Sequence, residues 1–451
     1  MLSWKDETKS QIRLALPVVV IQLGLMTMGV VDTVMMGYVS HVQFAAVGLG
    51  DAMGFLLLCF GMGTVVGFDA VFSQAFGARD EDAFGVGLRR SIVFALLISV
   101  PIGAGIYYFP PLLPWLDQPA SVVPIASDYM RTIAFSAPGF LVFIALRHAL
   151  QARTLLRPIV WTIVIANVIN LVLDYALIFG HFGLPRLEAH GSALATTASR
   201  WLLAVILLVV AWSELKPYLT HWGERAFALR PILRMAWLGA PVGLQFIGEM
   251  GAFTLVGLWA GTLGDLTLAG HQVALKLASI TFMVPLGISI AASVRVGHAI
   301  GRGDQAGVRR SVRVSLALGA GTMAVFGGAF IAFPGPLAWL MNKDLEVIAI
   351  AAALLPLAGA FQVFDGLQVV SVGILRGTAD TLVPGVLQSL GFWAIGVPAS
   401  WYLAFERGLG AEGLWWGLLI GLGSVAGIQV LRVFQRTSRE QVRFQVEERQ
   451  A

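Results

Sequence analysis

Residues 14–37 have the sequence LALPVVVIQLGLMTMGVVDTVMMG. The first part of this stretch, Leu14 to Val31, contains no Asp, Glu, Lys or Arg. A helix needs about 20 mostly apolar residues to cross the hydrocarbon core of a bilayer. The stretch therefore predicts a membrane-spanning helix, with Pro17 near its start and one carboxylate, Asp32, near its end.

The composition of the whole chain agrees with this first segment. Of its 451 residues, 12% are charged and 57% are hydrophobic, with a mean hydropathy of +0.80. Soluble domains carry about 25% charged residues, so this chain cannot cover a water-exposed surface. A disordered chain lacks this many apolar residues, and a disulfide-framed domain needs more than Cys59. A polytopic membrane protein is the class that remains.

Long apolar stretches recur along the chain, without the period-two alternation of a membrane barrel, and so indicate helices. The connections between them are short, so we expect no extramembrane domain. The charged start of the chain is followed by no cleavage site and predicts a surface segment rather than a signal peptide. We predict twelve spans at residues 13–38, 48–76, 91–112, 127–151, 158–180, 190–213, 234–261, 271–298, 312–336, 347–374, 382–404 and 413–433.

The distribution of Lys and Arg predicts the orientation of these spans. With the amino terminus in the cytoplasm, 24 of the 30 cations lie on the cytoplasmic side and 3 in the outer loops. This is a strong positive-inside bias and predicts that both termini are cytoplasmic. The basic pI of 9.4 then reports orientation, and we exclude nucleic acid as a partner.

The sequence also repeats itself at an offset of 224 residues, which aligns Pro17 with Pro241. Further identities in the same register indicate a gene duplication that gave two copies of six spans. Because six is even, both copies begin on the same side and form two six-helix lobes, as in alternating-access transporters. We expect an N-terminal lobe at 1–213, a cytoplasmic linker at 214–233, and a C-terminal lobe with a short basic tail at 234–451. Other aligned pairs are Gly37 with Gly261, Gly63 with Gly287, Asp80 with Asp304 and, after a four-residue deletion, 88–91 with 308–311.

Of the acidic residues that fall inside predicted spans, where a carboxylate costs about 2.5–3.5 kcal/mol, four are the candidates for the mechanism. The offset places Asp32 on Val256 and Glu249 on Leu25, so the lobes carry different acids and suggest two separate cation sites. The four acids are Asp32, Asp174, Glu249 and Asp365, and the amides near them on the same helix faces are Asn170, Gln245 and Gln368.

A buried carboxyl group can hold either a proton or a cation, and that competition is the chemistry of an antiporter. The chain has no Walker motif, nucleophile elbow or metal-ligand spacing, so we expect a transporter driven by an ion gradient, with no enzymatic activity and no cofactor. A buried acid can also be structural, which we favour for Asp51 and Asp69 near span ends. We expect structural roles for Arg131, Arg200 and Lys276 and interfacial positions for His148, His271 and His298.

Taken together, an ordered set of motifs resembles the multidrug and toxic compound extrusion (MATE) family, in particular its NorM-type bacterial branch. The resemblance covers nearly the whole chain, and the ordered set is far more specific than any one motif. The matching segments are 16–17 (LP) through 31–37 (VDTVMMG), 74–78 (QAFGA), 239–241 (GAP) through Glu249, 269–274 (AGHQVA), 294–301 (VRVGHAIG), 362–368 (QVFDGLQ) and 373–378 (GILRGT).

The resemblance implies two six-helix bundles around a V-shaped cleft, and efflux of cationic, often aromatic, drugs in exchange for Na⁺ or H⁺. Asp32 matches an acid linked to coupling and substrate release, and Glu249 with Asp365 matches a cation site that could hold Na⁺. Asn170 matches the first member of a fifth-helix polar pair, whose second member is often Asn. Here it is Asp174, as in archaeal and DinF-like relatives, which leaves open which lobe holds the dominant coupling site.

The resemblance also implies a multi-pass protein of the bacterial inner membrane, and we expect a monomer. A flippase for a lipid-linked precursor is the alternative, because distant relatives with similar lobes do this work. Such proteins tend to have a cationic cavity that holds phosphate, whereas this sequence offers acids. A channel is disfavoured by the short loops and by the lack of a filter-like repeat.

Overall fold

The computed structural model describes residues 3–116, 119–220 and 222–446. Within these ranges, twelve helices are long and apolar enough to cross a membrane, which confirms the predicted number of spans. We label them α1 to α12: Trp4–Gly37, His41–Gly77, Glu81–Tyr108, Val123–Ala152, Arg157–Phe179, Glu188–Val210, Leu229–Thr262, Asp265–Gly301, Gln305–Ala332, Leu345–Gly377, Leu382–Glu406 and Gly410–Ser438. Many helices begin before the predicted spans, because polar first turns continue the same backbone hydrogen bonds.

Three of the spans are locally irregular. Helix α2 consists of His41–Val66 and Asp69–Gly77, joined by a turn, and α4 contains a 3₁₀ turn at Ala134–Ser136. Helix α11 contains two π-helical segments, Gly391–Gly396 and Tyr402–Glu406. Such wide turns are frequent at functional sites, because they displace side chains from the regular helical register.

The loops and short helices between spans contain no strand among the described residues. Shorter helical segments connect several of the spans: Pro110–Leu116, Trp212–Leu219, Glu224–Phe227 and Pro334–Met341. The predicted basic tail extends past Val446, and its last cation, Arg449, lies outside the described residues.

The duplication predicted from the sequence is visible in equivalent turns. Asp80 caps α3 by accepting a hydrogen bond from the Ala83 amide at 2.9 Å. Asp304, 224 residues later, caps α9 by accepting from the Gly307 amide at 2.8 Å. Each aspartate satisfies an amide that has no partner within its helix. The same local solution at both positions is what descent from one repeated unit predicts.

Packing divides the chain into two compact units, whose boundaries lie inside α1 and α7. One unit contains residues 3–19 with Leu244–Phe444, and the other contains Val20–Gly243 with Gln445 and Val446. We call these the C-unit and the N-unit. The boundaries differ from the lobes expected at 1–213 and 234–451, since the first part of α1 packs in the C-unit and the first part of α7 in the N-unit.

The two boundaries follow the aligned prolines. Pro17 precedes the boundary after Val19, and Pro241 precedes the boundary after Gly243. A proline inside a helix removes one backbone hydrogen bond and clashes with the preceding turn. The two parts of each helix can therefore pack in different units.

Glycines let the first part of α7 approach α2 closely within the N-unit. Gly63 and Gly67 on α2 face Gly239 and Gly243 on α7, and both pairs have the G-x-x-x-G spacing. A Cβ added at Gly63 would lie 2.8 Å from the Gly243 Cα. Contacts of this kind between small residues replace the hydrophobic effect, which is absent between helices in lipid.

The C-unit contains the equivalent helix contact, but there the glycine packs against larger residues. Gly287 on α8, the partner of Gly63 at offset 224, packs against Ala15 and Val19 on α1. A Cβ at Gly287 would meet the Ala15 carbonyl oxygen at 3.1 Å and the Val19 side chain. In each unit, the first part of a helix from the other repeat thus packs through a glycine. We call this arrangement the exchange of half-helices; of these two contacts, the one in the N-unit pairs glycine with glycine.

A polar cluster holds the segment after α6 against the start of α3. Tyr218 donates a hydrogen bond to the Glu81 carboxylate, and the Arg89 guanidinium donates to the Tyr218 carbonyl at 3.2 Å. Burial, followed by this bond to Glu81, raises the pKa of Tyr218 to about 12. The phenol therefore remains a neutral donor throughout the physiological pH range.

The three histidines expected at interfacial positions are buried within the protein, near the end of α4 and the two ends of α8. His148, His271 and His298 are each at most 5% exposed. His148 Nδ1 lies 2.6 Å from Asp69 Oδ1, and the Trp415 indole donates to His271 Nδ1 at 3.2 Å. Packing against neighbouring helices explains their low exposure, and the expected interfacial positions stay a prediction.

Candidate functional site

The N-unit brings three of the predicted site residues together from α1 and α5. Asp32 on α1 is 7% exposed, whereas Asn170 and Asp174 on α5 are fully buried. The Asp174 carboxyl lies near that of Asp32 and interacts with it electrostatically without a hydrogen bond, and it also lies beside the Asn170 side chain. We call Asp32 and Asp174 the carboxyl pair. Two carboxylates this close repel each other unless they share a proton or a cation.

The hydrogen bonds of the carboxyl pair are incomplete in the described part of the chain. Thr196 on α6 donates its hydroxyl to Asp32 Oδ2 at 2.9 Å. Asp32 Oδ1 and both oxygens of Asp174 have no hydrogen-bond partner there, nor do the two polar atoms of the Asn170 amide. Buried polar atoms are normally paired, so this concentration of unpaired oxygens is one that a shared proton or a bound cation would satisfy.

A second polar layer surrounds the carboxyl pair. Tyr129 on α4 is buried and interacts with Asp51 on α2, with Thr196 and with Arg200 on α6. The Arg200 guanidinium lies 3.6 Å from Asp51 Oδ1. Asp51 is half-exposed, with 45% of its side chain accessible. Arg200 thus forms an ion pair with Asp51, and Asp51 in turn interacts electrostatically with Asp32.

The C-unit gathers its predicted residues around a glutamine that the sequence reasoning missed. Gln388 on α11 donates its amide to Glu249 Oε2 at 2.6 Å. Its own oxygen accepts from Gln368 Nε2 at 2.6 Å, from the Gln245 amide, and from Gln429 Nε2 at 3.4 Å. The amide dipoles are therefore aligned so that donors converge on Gln388, and Gln388 donates to the carboxylate.

Asp365 on α10 completes this site. It is 6% exposed and interacts electrostatically with Glu249 on α7. We call Glu249, Asp365, Gln245, Gln368, Gln388 and Gln429 the carboxyl–amide cluster. Its amide oxygens on Gln368 and Gln429 are buried and have no hydrogen-bond partner in the described ranges.

The π-helical turn of α11 lies next to this cluster. Gln388 precedes the wide segment Gly391–Gly396, and Trp393 within it donates its indole to the Gly248 carbonyl at 3.0 Å. That bond joins α11 to α7 one residue before Glu249. The irregular backbone thus fixes the spacing between the helix that carries Gln388 and the helix that carries the carboxylate.

The ligand atoms of the carboxyl–amide cluster indicate which kind of cation it could bind. Oxygen ligands from carboxylates and amides suit hard cations, and the carboxyl–amide cluster offers both types. Among the described residues, no group of three or more His, Cys, Asp or Glu could hold a metal ion. A cation at Glu249 and Asp365 would therefore need the amide oxygens as well, which is a donor set for an alkali ion rather than for zinc.

The sequence pattern did not indicate four polar residues near the two sites. Thr196, Tyr129, Gln388 and Gln429 are uncharged, so a pattern of charged residues within spans does not reveal them. Gln388 and Gln429 lie in the stretches 381–405 and 413–431, which contain no charged residue. A buried amide in such a stretch is itself a costly group and could have been counted as a signal.

Comparison with known proteins agrees with this architecture. The family model MatE matches the chain twice, at residues 17–176 and 241–402, whose starts are again 224 residues apart. A probable multidrug resistance protein NorM from Rhodopseudomonas palustris is 38% identical over 97% of this chain and 94% of its own length. The corresponding protein from Burkholderia pseudomallei is 36% identical over 96% of this chain and 93% of its own length.

Solved structures extend the likeness to the fold. A eukaryotic MATE transporter, AtDTX14, matches with a TM-score of 0.86 and 21% identity, over 96% of this chain and 99% of its own. At that identity the match concerns the fold alone. The double family match, the identity to the NorM proteins and the twelve spans show that the chain belongs to the MatE family of membrane transporters and is not an enzyme.

Proposed function

We propose that the protein is a secondary active efflux antiporter, which exports cationic and aromatic organic compounds in exchange for Na⁺ or H⁺. The observation that carries the proposal is the presence of two separate, chemically different acid sites, one in each unit. A single structural acid would need neither a partner carboxylate nor unpaired oxygens around it. The name multidrug resistance protein, given to the NorM relatives, supports an organic drug as the transported compound.

We assign the proton to the carboxyl pair of the N-unit. Asp32 and Asp174 interact electrostatically, and neither the Asp174 oxygens nor the amide of the neighbouring Asn170 has a hydrogen-bond partner in the described ranges. A shared proton removes the repulsion between the two carboxylates at the smallest steric cost. A cationic substrate that approaches Asp32 would compete with this proton, so proton entry would favour substrate release.

We assign the alkali cation, where Na⁺ is used, to the carboxyl–amide cluster of the C-unit. Glu249 and Asp365 supply negative charge, and the unpaired oxygens of Gln368 and Gln429 supply neutral ligands. Gln245 and Gln388 hold these groups in place through hydrogen bonds. A site of two acids and several neutral oxygens can exchange Na⁺ for protons, because both neutralise the carboxylates.

The positive-inside bias supports an orientation with both termini in the cytoplasm. With bacterial relatives, it supports a place in the inner membrane as a multi-pass protein. Each unit has its own acid site, so a monomer suffices for the proposed exchange.

Transport in proteoliposomes tests the proposal. Ethidium or norfloxacin efflux is measured under a Na⁺ gradient alone and under a pH gradient alone, at equal reconstitution of wild type, Asp32→Asn, Glu249→Gln and Asp365→Asn. We expect gradient-driven efflux by the wild type and a loss with each variant under at least one gradient. Wild-type efflux by all three variants would remove the assigned roles.

A flippase for a lipid-linked precursor is less well supported. Such a substrate carries phosphate, whereas both sites present carboxylates. Rescue of a flippase-deficient strain by the wild-type chain, without drug efflux in proteoliposomes, would favour it over the antiporter.

A further inference from the structure

The first turns of α1 bury one face against the C-unit. Glu7 is 1% exposed and Gln11 is fully buried. Arg295 on α8 donates to both Glu7 oxygens, at 3.0 and 2.5 Å, and Ser311 on α9 donates to Glu7 Oε1 at 2.7 Å. Gln11 donates to the Ser311 carbonyl at 3.0 Å and accepts from Ser315 at 2.9 Å. These bonds fix the rotation of α1 about its own axis.

The opposite face of the same turns is basic and exposed. Lys5, Lys9 and Arg13 are exposed and spaced four residues apart, so they align on one side of the helix. In the described part of the chain, none of these three side chains forms an ion pair or a hydrogen bond. We call residues 4, 5, 8, 9, 12 and 13 the basic face.

A shallow, open groove lies between the side chains of the basic face and is lined by its six residues, all of them on α1. Trp4 and Ile12 flank the three cations and are 52% and 40% exposed. Leu16, one turn further on, is 61% exposed. The groove therefore combines three cations with an aromatic ring and an aliphatic path that leads into the apolar run starting at Leu14.

The three cations of the basic face outnumber the one exposed acid of these turns, Asp6, which interacts electrostatically with Lys9. The Glu7 carboxylate points to the buried side and is neutralised by Arg295. The Asp6 carboxylate accepts hydrogen bonds from the backbone and hydroxyl of Ser3, at 3.2 and 2.7 Å. The basic face thus keeps a positive charge directly beside a bilayer-spanning segment, where anionic lipids attract Lys and Arg.

We propose that the basic face binds the headgroup phosphate of an anionic phospholipid. Lys5, Lys9 and Arg13 contact the phosphate, and an acyl chain lies along Ile12 and Leu16. Trp4 lies at the level of the headgroups, where amphipathic rings are favoured. The bound lipid holds the first part of α1 at the membrane surface while Glu7 and Gln11 hold its other side to the C-unit.

Native mass spectrometry of the purified full-length protein in detergent tests this site. The probes are phosphatidylglycerol, phosphatidylcholine with the same acyl chains, and inorganic phosphate as a free anion. Each Lys or Arg near an anionic lipid strengthens binding about fivefold. We expect the K5Q/K9Q/R13Q variant to bind phosphatidylglycerol at least about tenfold more weakly than wild type, with binding of phosphatidylcholine unchanged.

Two further variants distinguish a defined site from diffuse charge. R302Q/R309Q/R313Q removes three other exposed cations and should bind phosphatidylglycerol within about twofold of wild type. K5R/K9R/R13K keeps the charges and should also bind as wild type does. The proposal is overturned if K5Q/K9Q/R13Q binds normally, if R302Q/R309Q/R313Q loses as much affinity, or if equimolar inorganic phosphate displaces the lipid.

Discussion

In the N-unit, the carboxyl groups of Asp32 and Asp174 interact electrostatically, and a hydroxyl from Thr196 donates to one of them. In the C-unit, Glu249 receives its hydrogen bond from the amide of Gln388, which is itself held by other glutamines. Both sites keep acids inside the membrane, but one does so with a second acid and the other with amides.

The shared features of the two units are backbone features, and the differences are polar side chains. Pro17 and Pro241, and Gly63 and Gly287, occupy equivalent positions because each repeat exchanges a half-helix through a close contact. A side chain that lines a site is constrained by its ligand and not by this packing. Duplication therefore kept the scaffold while the polar side chains of the two sites diverged.

The largest expected effect is that a variant in each site loses efflux under one ion gradient and keeps it under the other. Glu249→Gln should lower Na⁺-driven efflux about tenfold or more and leave pH-driven efflux near wild type, because a carboxylate contact is worth about 1.5–3 kcal/mol. Asp32→Asn should do the reverse. Efflux rates in proteoliposomes under each gradient measure both effects.

Asp82→Asn serves as the control for this pair of variants, because it removes an acid that is exposed and pairs with Arg225 outside both sites. If Glu249→Gln and Asp32→Asn each lose efflux equally under both gradients, the two sites act together. The assignment of Na⁺ to the C-unit and of the proton to the N-unit would then be wrong.

Removing Gln388 should weaken the C-unit site by a smaller amount. Gln388→Ala leaves Glu249 without its amide donor and frees the glutamines that converge on Gln388, at a cost of about 1–3 kcal/mol. The Na⁺ concentration for half-maximal efflux should rise about tenfold, with little change under a pH gradient. Ser389→Ala is the matched control, because its hydroxyl donates to the Gly385 carbonyl of its own helix. An unchanged Na⁺ requirement in Gln388→Ala would argue against the cluster as the cation site.

The hydroxyl at Thr196 should tune the N-unit site. Thr196→Val removes the donor to Asp32 Oδ2, and a hydrogen bond to a charged group is worth about 1.5–3 kcal/mol. Proton-driven efflux at a fixed pH gradient should fall about tenfold, while the Na⁺ requirement stays constant. Thr197→Val, whose hydroxyl bonds to the Thr132 carbonyl instead, should leave proton-driven efflux near wild type. Equal proton-driven efflux by wild type and Thr196→Val would exclude this role.

The smallest expected effect concerns the exchanged half-helices. A Cβ at Gly63 would lie closest to backbone atoms of Val242 and Gly243, whereas the atom closest to a Cβ at Gly287 is a side-chain methyl carbon of Val19, which can shift more easily than backbone. We expect Gly63→Ala to cost about 1 kcal/mol more, within the range for overpacking. Thermal unfolding in detergent should show a lower midpoint for Gly63→Ala by about 2–4 °C. A lower midpoint for Gly287→Ala would show that the C-unit contact is the tighter one.

The sequence by itself determined the number and class of the spans, the duplication and the family. Long runs such as Leu14–Val31 have few alternatives in lipid, because each backbone polar group must be paired within the segment. The acids Asp32, Asp174, Glu249 and Asp365 were found for a related reason, since a charge in an apolar run is conspicuous and costly. The roles given to these acids stay predictions until the transport measurements are made.

Only the tertiary structure decided which half-helix packs in which unit and which neutral groups complete the sites. The lobes expected from the sequence end between spans, but Pro17 and Pro241 allow α1 and α7 to be divided between units. Gln388, Gln429, Thr196 and Tyr129 became visible through their hydrogen bonds and contacts, because a neutral polar residue gives little signal in a hydropathy profile. The physical reason is distance along the chain: the bond from Thr196 to Asp32 and the bond from Gln388 to Glu249 each join residues more than a hundred positions apart.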